Sequence, residues 1–226
     1  MKRFLCFLIS GLLIFATFTA VAEDNMASAL ASVKSKVNIP EALTEFQSNS
    51  ITSDGRAEYF FDWSSPDEAE NISVTCLFDG TIIRYNYYSE ALYENDGKQL
   101  SSITREDAKK LGEDFVKQLI PEVFSENDYF VFDDMSVFFR DIGTDYNLSF
   151  KRLVNGVPVE GEIITMDIKA RGDKAYISNV ASSFNQNIVF APLEKEKLLT
   201  NEDELYKNAF PIELTYMLNS YKDESY

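Results

Sequence analysis

Apolar residues recur along this chain with two different periods, and stretches of the two kinds alternate. Met26, Leu30, Val33 and Val37 recur every three to four residues, as do Ala108, Leu111, Phe115, Val116 and Leu119. That spacing puts each set on one face of a helix, predicting helices over 27–37 and 104–119. Between and after them the period falls to two. Tyr59, Phe61 and Trp63 mark a strand over 57–64, and Phe130, Phe132, Val137 and Phe139 mark a further one. Leu148 and Phe150 lie in a strand over 146–154, and strands over 162–169 and 174–180 follow.

Short turn signals set how these strands pair. Asp79-Gly80 reads as a two-residue hairpin turn, which places Phe78 opposite Thr81, Cys76 opposite Ile83, Val74 opposite Tyr85 and Ile72 opposite Tyr87. Nearly all of that face is apolar, while Ser73, Thr75, Arg84 and Asn86 point the other way, so a one-residue slip would expose the whole set. Asn155-Gly156 and Gly172-Asp173 make the equivalent signals later in the chain. The last hairpin is less clean, because Asn179 and Ala181 fall where apolar residues belong.

The same grammar recurs at an offset of about 80 to 96 residues. Ile39-Pro40-Glu41, Ile120-Pro121-Glu122 and Phe210-Pro211-Ile212-Glu213 each stop a helix, since proline cannot continue one and disfavours helical backbone before it. Thr104-Arg105-Glu106-Asp107 and Thr200-Asn201-Glu202-Asp203 both set a threonine cap before carboxylates in the first turn. A third helix over 200–209 and a strand over 212–219 begin a copy that does not finish. The expected organisation is a signal peptide over 1–22, one repeat over 23–100, a second over 101–195 and an incomplete third over 196–226.

Composition narrows the chemistry. Lys2 and Arg3 precede an apolar run to Phe18, and Ala20-Val21-Ala22 supplies a cleavage pattern, so the mature chain is expected to start at Glu23 outside the cytoplasm. The run is shorter than the roughly 20 residues of a spanning helix. Loss of the signal takes the net charge from −16 to −18, which repels nucleic acid and anionic membranes. Cys76 is then the one remaining cysteine, ruling out an internal disulfide, and its place on an apolar strand face reads as a buried, inert thiol. Histidine is absent, removing the commonest general base and metal ligand. The acids lack the alternating spacing of a calcium loop, and Asp133-Asp134 and Glu202-Asp203-Glu204 read as solvated charge.

With those residues in view, the chain resembles the YcdB/YcdC repeated domain, a PepSY-like module of exported bacterial proteins. The resemblance rests on helix and stop at 108–122, on Phe150-Lys151-Arg152 leading into Val154-Asn155-Gly156-Val157-Pro158-Val159, and on the hairpin at Gly172-Asp173. The same core is similar to a turn in the propeptides of thermolysin-type peptidases. It implies an α+β fold of tandem PepSY-like repeats, each a helix packed on a small antiparallel sheet, in an extracytoplasmic and non-catalytic protein.

The function expected is therefore an exported module that binds or regulates a partner in the cell envelope, with exposed aromatics and open sheet edges as its contact surfaces. Within the tyrosine-rich stretch, Tyr85 and Tyr87 fit the buried face and leave Tyr88 and Tyr93 for contact. The expected partner is a secreted peptidase or another envelope protein, with no nucleic acid and no stable membrane insertion after signal cleavage. A peptidase inhibitor or detached proregion is the alternative. A carboxylate-dependent hydrolase is the third reading, with Asp133, Asp134 and Asp141 near Arg140 as its acids. No catalytic, cofactor-binding or metal residue is expected.

Overall fold

The computed structural model of the chain describes residues 25–53, 56–93 and 101–184, and these fall into two units that part at Glu94 and Asn95. The signal sequence, the start at Glu23, the helix over 200–209 and the strand over 212–219 lie outside the described residues.

In the first unit, helix α1 covers residues 25–36. Its buried face is Ala29, Val33 and Val37, with Met26 and Leu30 half-buried beside it, so the expected stripe is turned slightly toward alanine. The Val37 amide still donates to the Val33 carbonyl at 2.9 Å before Pro40 ends the helix. Four antiparallel strands follow in a meander: β1 (Glu45–Ser53), β2 (Arg56–Ser64), β3 (Glu70–Leu77) and β4 (Ile82–Ser89). Val74 sits between Phe61 and Tyr85 in the ladder, and all three are buried. Burial of each large apolar side chain in such a face contributes about 1.5–3 kcal/mol. Lys34 of α1 lies 5.8 Å from the Phe46 ring, which in turn packs 5.3 Å from Trp63.

Strand β1 has no periodic signature. From Glu45 to Thr52 every side chain is exposed, so nothing selects apolar residues at alternate positions.

The β3–β4 hairpin departs from the expected register near its tip and recovers it further down. The Leu77 amide donates to the Thr81 carbonyl at 2.9 Å, and the Gly80 amide donates to the Leu77 carbonyl at the same distance. The loop therefore has three residues, Phe78, Asp79 and Gly80, with Gly80 in the left-handed region at φ +83°. Cys76 consequently pairs with Ile82 and not Ile83. A bulge at Ile83 absorbs the extra residue, so Val74 still meets Tyr85 and Ile72 still meets Tyr87. Gly80 also faces α1: a Cβ there would lie 2.6 Å from the Ser32 Cβ.

In the second unit, Thr104 caps helix α2 (Arg105–Leu119) through a reciprocal capping box with Asp107. The buried face is Ala108, Gly112, Val116 and Leu119. Gly112 extends the face read from sequence. A Cβ added to it would lie 2.7 Å from Leu148 Cδ2 and 3.1 Å from Phe150 Cζ, so glycine lets the helix sit close against the sheet. That sheet is β5 (Asp128–Arg140), β6 (Gly143–Val154), β7 (Val157–Arg171) and β8 (Lys174–Ser183), again antiparallel in chain order. The buried Tyr146 donates its hydroxyl to the Ile103 carbonyl at 2.6 Å, fixing the lead-in to α2.

Two irregularities explain what periodicity missed here. Strand β7 starts directly after Asn155-Gly156, at Val157 and not at Glu162. Between the Leu153–Pro158 and Lys151–Ile163 pairs, four β7 residues oppose Arg152 alone, and this wide bulge hides the alternation. In β8 a bulge at Ser178 reverses the phase, so Ile177 pairs with Ile168 and Val180 with Met166. Both are buried. Asn179 instead lies opposite Asp167, on the other face.

Candidate functional site

Strand β5 stands at the edge of its unit's sheet and, among the described residues, pairs only with β6. Along it runs a cleft of 380 Å³, within the low end of the range for binding pockets of about 300–1,000 Å³. Its floor is Phe130, Phe132 and Phe150, and one wall is Glu113, Val116 and Lys117 of α2. Phe124 and Ser125 close one end, after the 3-10 turn Pro121–Val123 has redirected the chain. The Ser125 amide donates to the Asp128 carbonyl at 2.8 Å, which holds that corner.

Four consecutive residues of β5, Tyr129 to Phe132, line this cleft. Successive side chains of a strand point to opposite faces. Phe130, Phe132 and Phe150 share the face that α2 covers, so the cleft lies between α2 and that face, beside the rim of β5. Phe132 meets Phe150 edge-on at 6.1 Å, and Lys109 of α2 lies 4.8 Å from the Phe132 ring.

Beside the floor is a buried ionic triad. Arg152 lies opposite Phe130 in the ladder and is 2% exposed. Its Nη1 donates to Glu162 Oε2 at 2.6 Å, and Glu162 is also 2% exposed. Its Nε and Nη2 donate to the two carboxylate oxygens of Asp128 at 2.7 and 2.6 Å, a bidentate pair. The Arg152 guanidinium lies 5.9 Å from the Phe184 ring, which meets Phe130 edge-on at 5.4 Å. Burial works to lower the Arg152 pKa, but the bonds from Asp128 and Glu162 outweigh it and hold the guanidinium above its ordinary value. Glu162 faces inward by plain alternation with the buried Ile164, Met166 and Ile168 of β7.

The acids singled out from sequence do not assemble a site. Asp133 lies 3.1 Å from Lys151, while Asp134 and Asp141 are exposed. Arg140 lies 3.5 Å from Asp145, which also faces Lys169 at 3.6 Å and Arg171 at 2.9 Å. Glu202, Asp203 and Glu204 lie outside the described residues. Among the described residues, no cluster of three His, Cys, Asp or Glu side chains is close enough to hold a metal ion. Cys76 is fully buried, and burial, followed by the nearby Asp79 charge, pushes its thiol up to about 12. A nucleophilic thiolate is correspondingly inaccessible there.

The tyrosine stretch divides as its alternation implies. Tyr85 is buried, and Tyr87 donates to Glu70 Oε1 at 2.8 Å. Tyr88 and Tyr93 are exposed and stack on each other at 5.7 Å. Asn155 and Gly156 form the two-residue turn with φ of +53° and +81°, and the Asn155 amide donates to the Asn127 carbonyl at 2.6 Å. Their work is conformational. The triad left two sequence signals: Arg152 is in phase with Leu148, Phe150 and Val154, Glu162 is in phase with Ile164, Met166 and Ile168, and a charge on a buried face needs partners. The cleft left none, because four separated segments build it.

Residues 27–176 match the YcdB, YcdC repeated domain. Among solved structures, the chain is similar to the C-terminal domain of Bacillus megaterium YpeB, at 14% identity over 86% of this chain and 81% of that one, with a TM-score of 0.47. It is also similar to cyanobacterial PsbP (CyanoP) from Synechocystis, at 13% identity over 76% of this chain and 95% of that one, with a TM-score of 0.28. Neither superposition is close enough to carry an argument across. No curated protein matches the chain in sequence. No helix among the described residues is long and apolar enough to cross a membrane.

Proposed function

This chain belongs to the YcdB/YcdC repeated-domain family, and on that premise we propose that it is an exported, non-catalytic PepSY-like module that binds or regulates a partner protein in the cell envelope. The observation that carries this reading is the cleft beside the rim of β5, an edge that no other described strand covers and a surface suited to holding another chain. The charged start, apolar run and Ala20-Val21-Ala22 junction support export, with cleavage before Glu23. The two units, each a helix followed by a four-stranded meander, support reading 23–100 and 101–195 as tandem copies.

The test is affinity capture from the organism's own envelope fraction, with the purified chain as bait and with its cleft variants as controls. A stoichiometric envelope protein retained by the wild-type chain is the expected result. Capture of a secreted peptidase, inhibited without turnover, would narrow the reading to an inhibitor or detached proregion. Hydrolytic turnover by the purified chain, lost on replacing Asp134 without loss of fold, would overturn it.

A further inference from the structure

We propose that the β5 cleft takes an extended, cationic segment of the partner, whose backbone pairs with the rim of β5 while one apolar side chain seats against the half-buried Phe124 and Phe132. This rests on the binding-module reading above and adds the chemistry of what is bound.

Three observations point to this occupant. The first is the rim itself. Among the described residues β5 pairs on one side only, with β6, so its other side from Tyr129 to Phe132 borders the cleft, and the bulge at Asp133 ends the regular edge immediately afterwards. The docking stretch is thus short and defined, and an unpaired edge is what strand addition uses. The second is the pair of half-buried rings, Phe132 and Phe124, which offer an apolar anchor a place next to an edge able to hold a backbone.

The third is charge. Residues 113–134, which supply most of the cleft, carry seven carboxylates and one lysine, a net −6 in a chain of net −16. Arg152 and Lys151 neutralise Asp128 and Asp133, which reduces that excess without cancelling it. An acidic segment, or a second copy of this chain, would be repelled on approach. A basic one is drawn in and oriented.

The experiment titrates the full chain into a labelled Lys-Val-Lys-Phe-Lys-Val-Lys peptide and follows fluorescence anisotropy. Saturable binding is expected, weakening as salt rises. Replacing the peptide's Phe by Ala should weaken it about tenfold, a difference of about 1.4 kcal/mol. The Glu-for-Lys peptide should not bind measurably, and proline at both valines should abolish binding by removing backbone donors. In the protein, Glu113→Lys and Phe124→Ala should each weaken binding several-fold, whereas Phe139→Ala, at the far end of β5, should leave it unchanged. Amide exchange over Tyr129–Phe132 should slow when the peptide is bound.

Equal binding of the acidic and basic peptides, or of the proline peptide, would overturn the proposal. So would binding that leaves exchange in β5 unchanged, or a dimer of the chain competing for this edge. Capture of the same envelope partner by wild type and by the Glu113→Lys and Phe124→Ala chains would sink the β5 assignment while leaving the module reading intact. Failure of the wild-type chain to capture any partner would count against the module reading itself.

Discussion

Replacing Arg152 by methionine isolates the energetics of the buried triad. Methionine keeps an unbranched stem of similar reach, so little cavity forms and the main loss is the positive charge. Glu162, 2% exposed, is then left buried without its countercharge. Asp128 has a side chain 30% exposed and can be hydrated instead. Breaking a buried pair from one side costs about 3–5 kcal/mol, chiefly through the stranded partner. At about 2–4 °C per kcal/mol for a chain of this size, the melting temperature should fall by about 6–20 °C. The Arg152→Met/Glu162→Leu chain removes both buried charges and should regain most of that loss. Urea denaturation followed by circular dichroism gives the free energies, and amide exchange in β6 and β7 localises them. Fluorescence of Trp63 alone would mislead, because that side chain belongs to the other unit. A single-variant cost below about 1 kcal/mol, or a double variant as damaged as the two singles combined, would refute the reasoning.

Three other outcomes follow from the packing and the turns. Gly112→Val should destabilise the second unit by about 1–3 kcal/mol in denaturant titration, because the new side chain meets Leu148 and Phe150 inside a closed helix–sheet contact. Gly156→Val should also cost about 1–3 kcal/mol; nothing lies within 4 Å of the added Cβ, so the loss is backbone strain, and Gly156→Asn should restore most of it. The Thr104 hydroxyl, then the Thr104 amide, hold the Asp107 carboxyl below its ordinary value of 3.8. Its folded pKa is depressed, so its contribution is present above 3.8 and is lost as pH falls through the lowered value. Amide exchange in the first turn of α2 should therefore quicken in that acid range, and Asp107→Asn should remove the step.

How far each element could be read from sequence depended on where its information lies. Helix α2, its Thr104 cap and its stop before Pro121 are written locally, in a 3.6-residue stripe bounded by a capping residue and a proline. The two-residue turn at Asn155-Gly156 is equally local, since a short loop with positive φ at both residues selects those types. Tyr59, Phe61 and Trp63 identified β2 because the strand buries one face. Strand β1 buries neither face, so exposure left its composition unconstrained and its period invisible. The bulges at Ile83, at Ser178 and across 159–162 likewise escaped, because an extra residue in a ladder shifts the phase of one strand against its partner and leaves no mark in the composition of either. The sequence by itself determined a protein of helix-then-strand units with a buried thiol at Cys76 and a strongly acidic composition. Only the tertiary structure decided that Arg152 meets Glu162 and Asp128, and that α2, the turn after Pro121 and the rim of β5 enclose a cleft. Periodicity reports which face of an element is buried; it carries no record of which other element covers that face, and both features depend on that pairing.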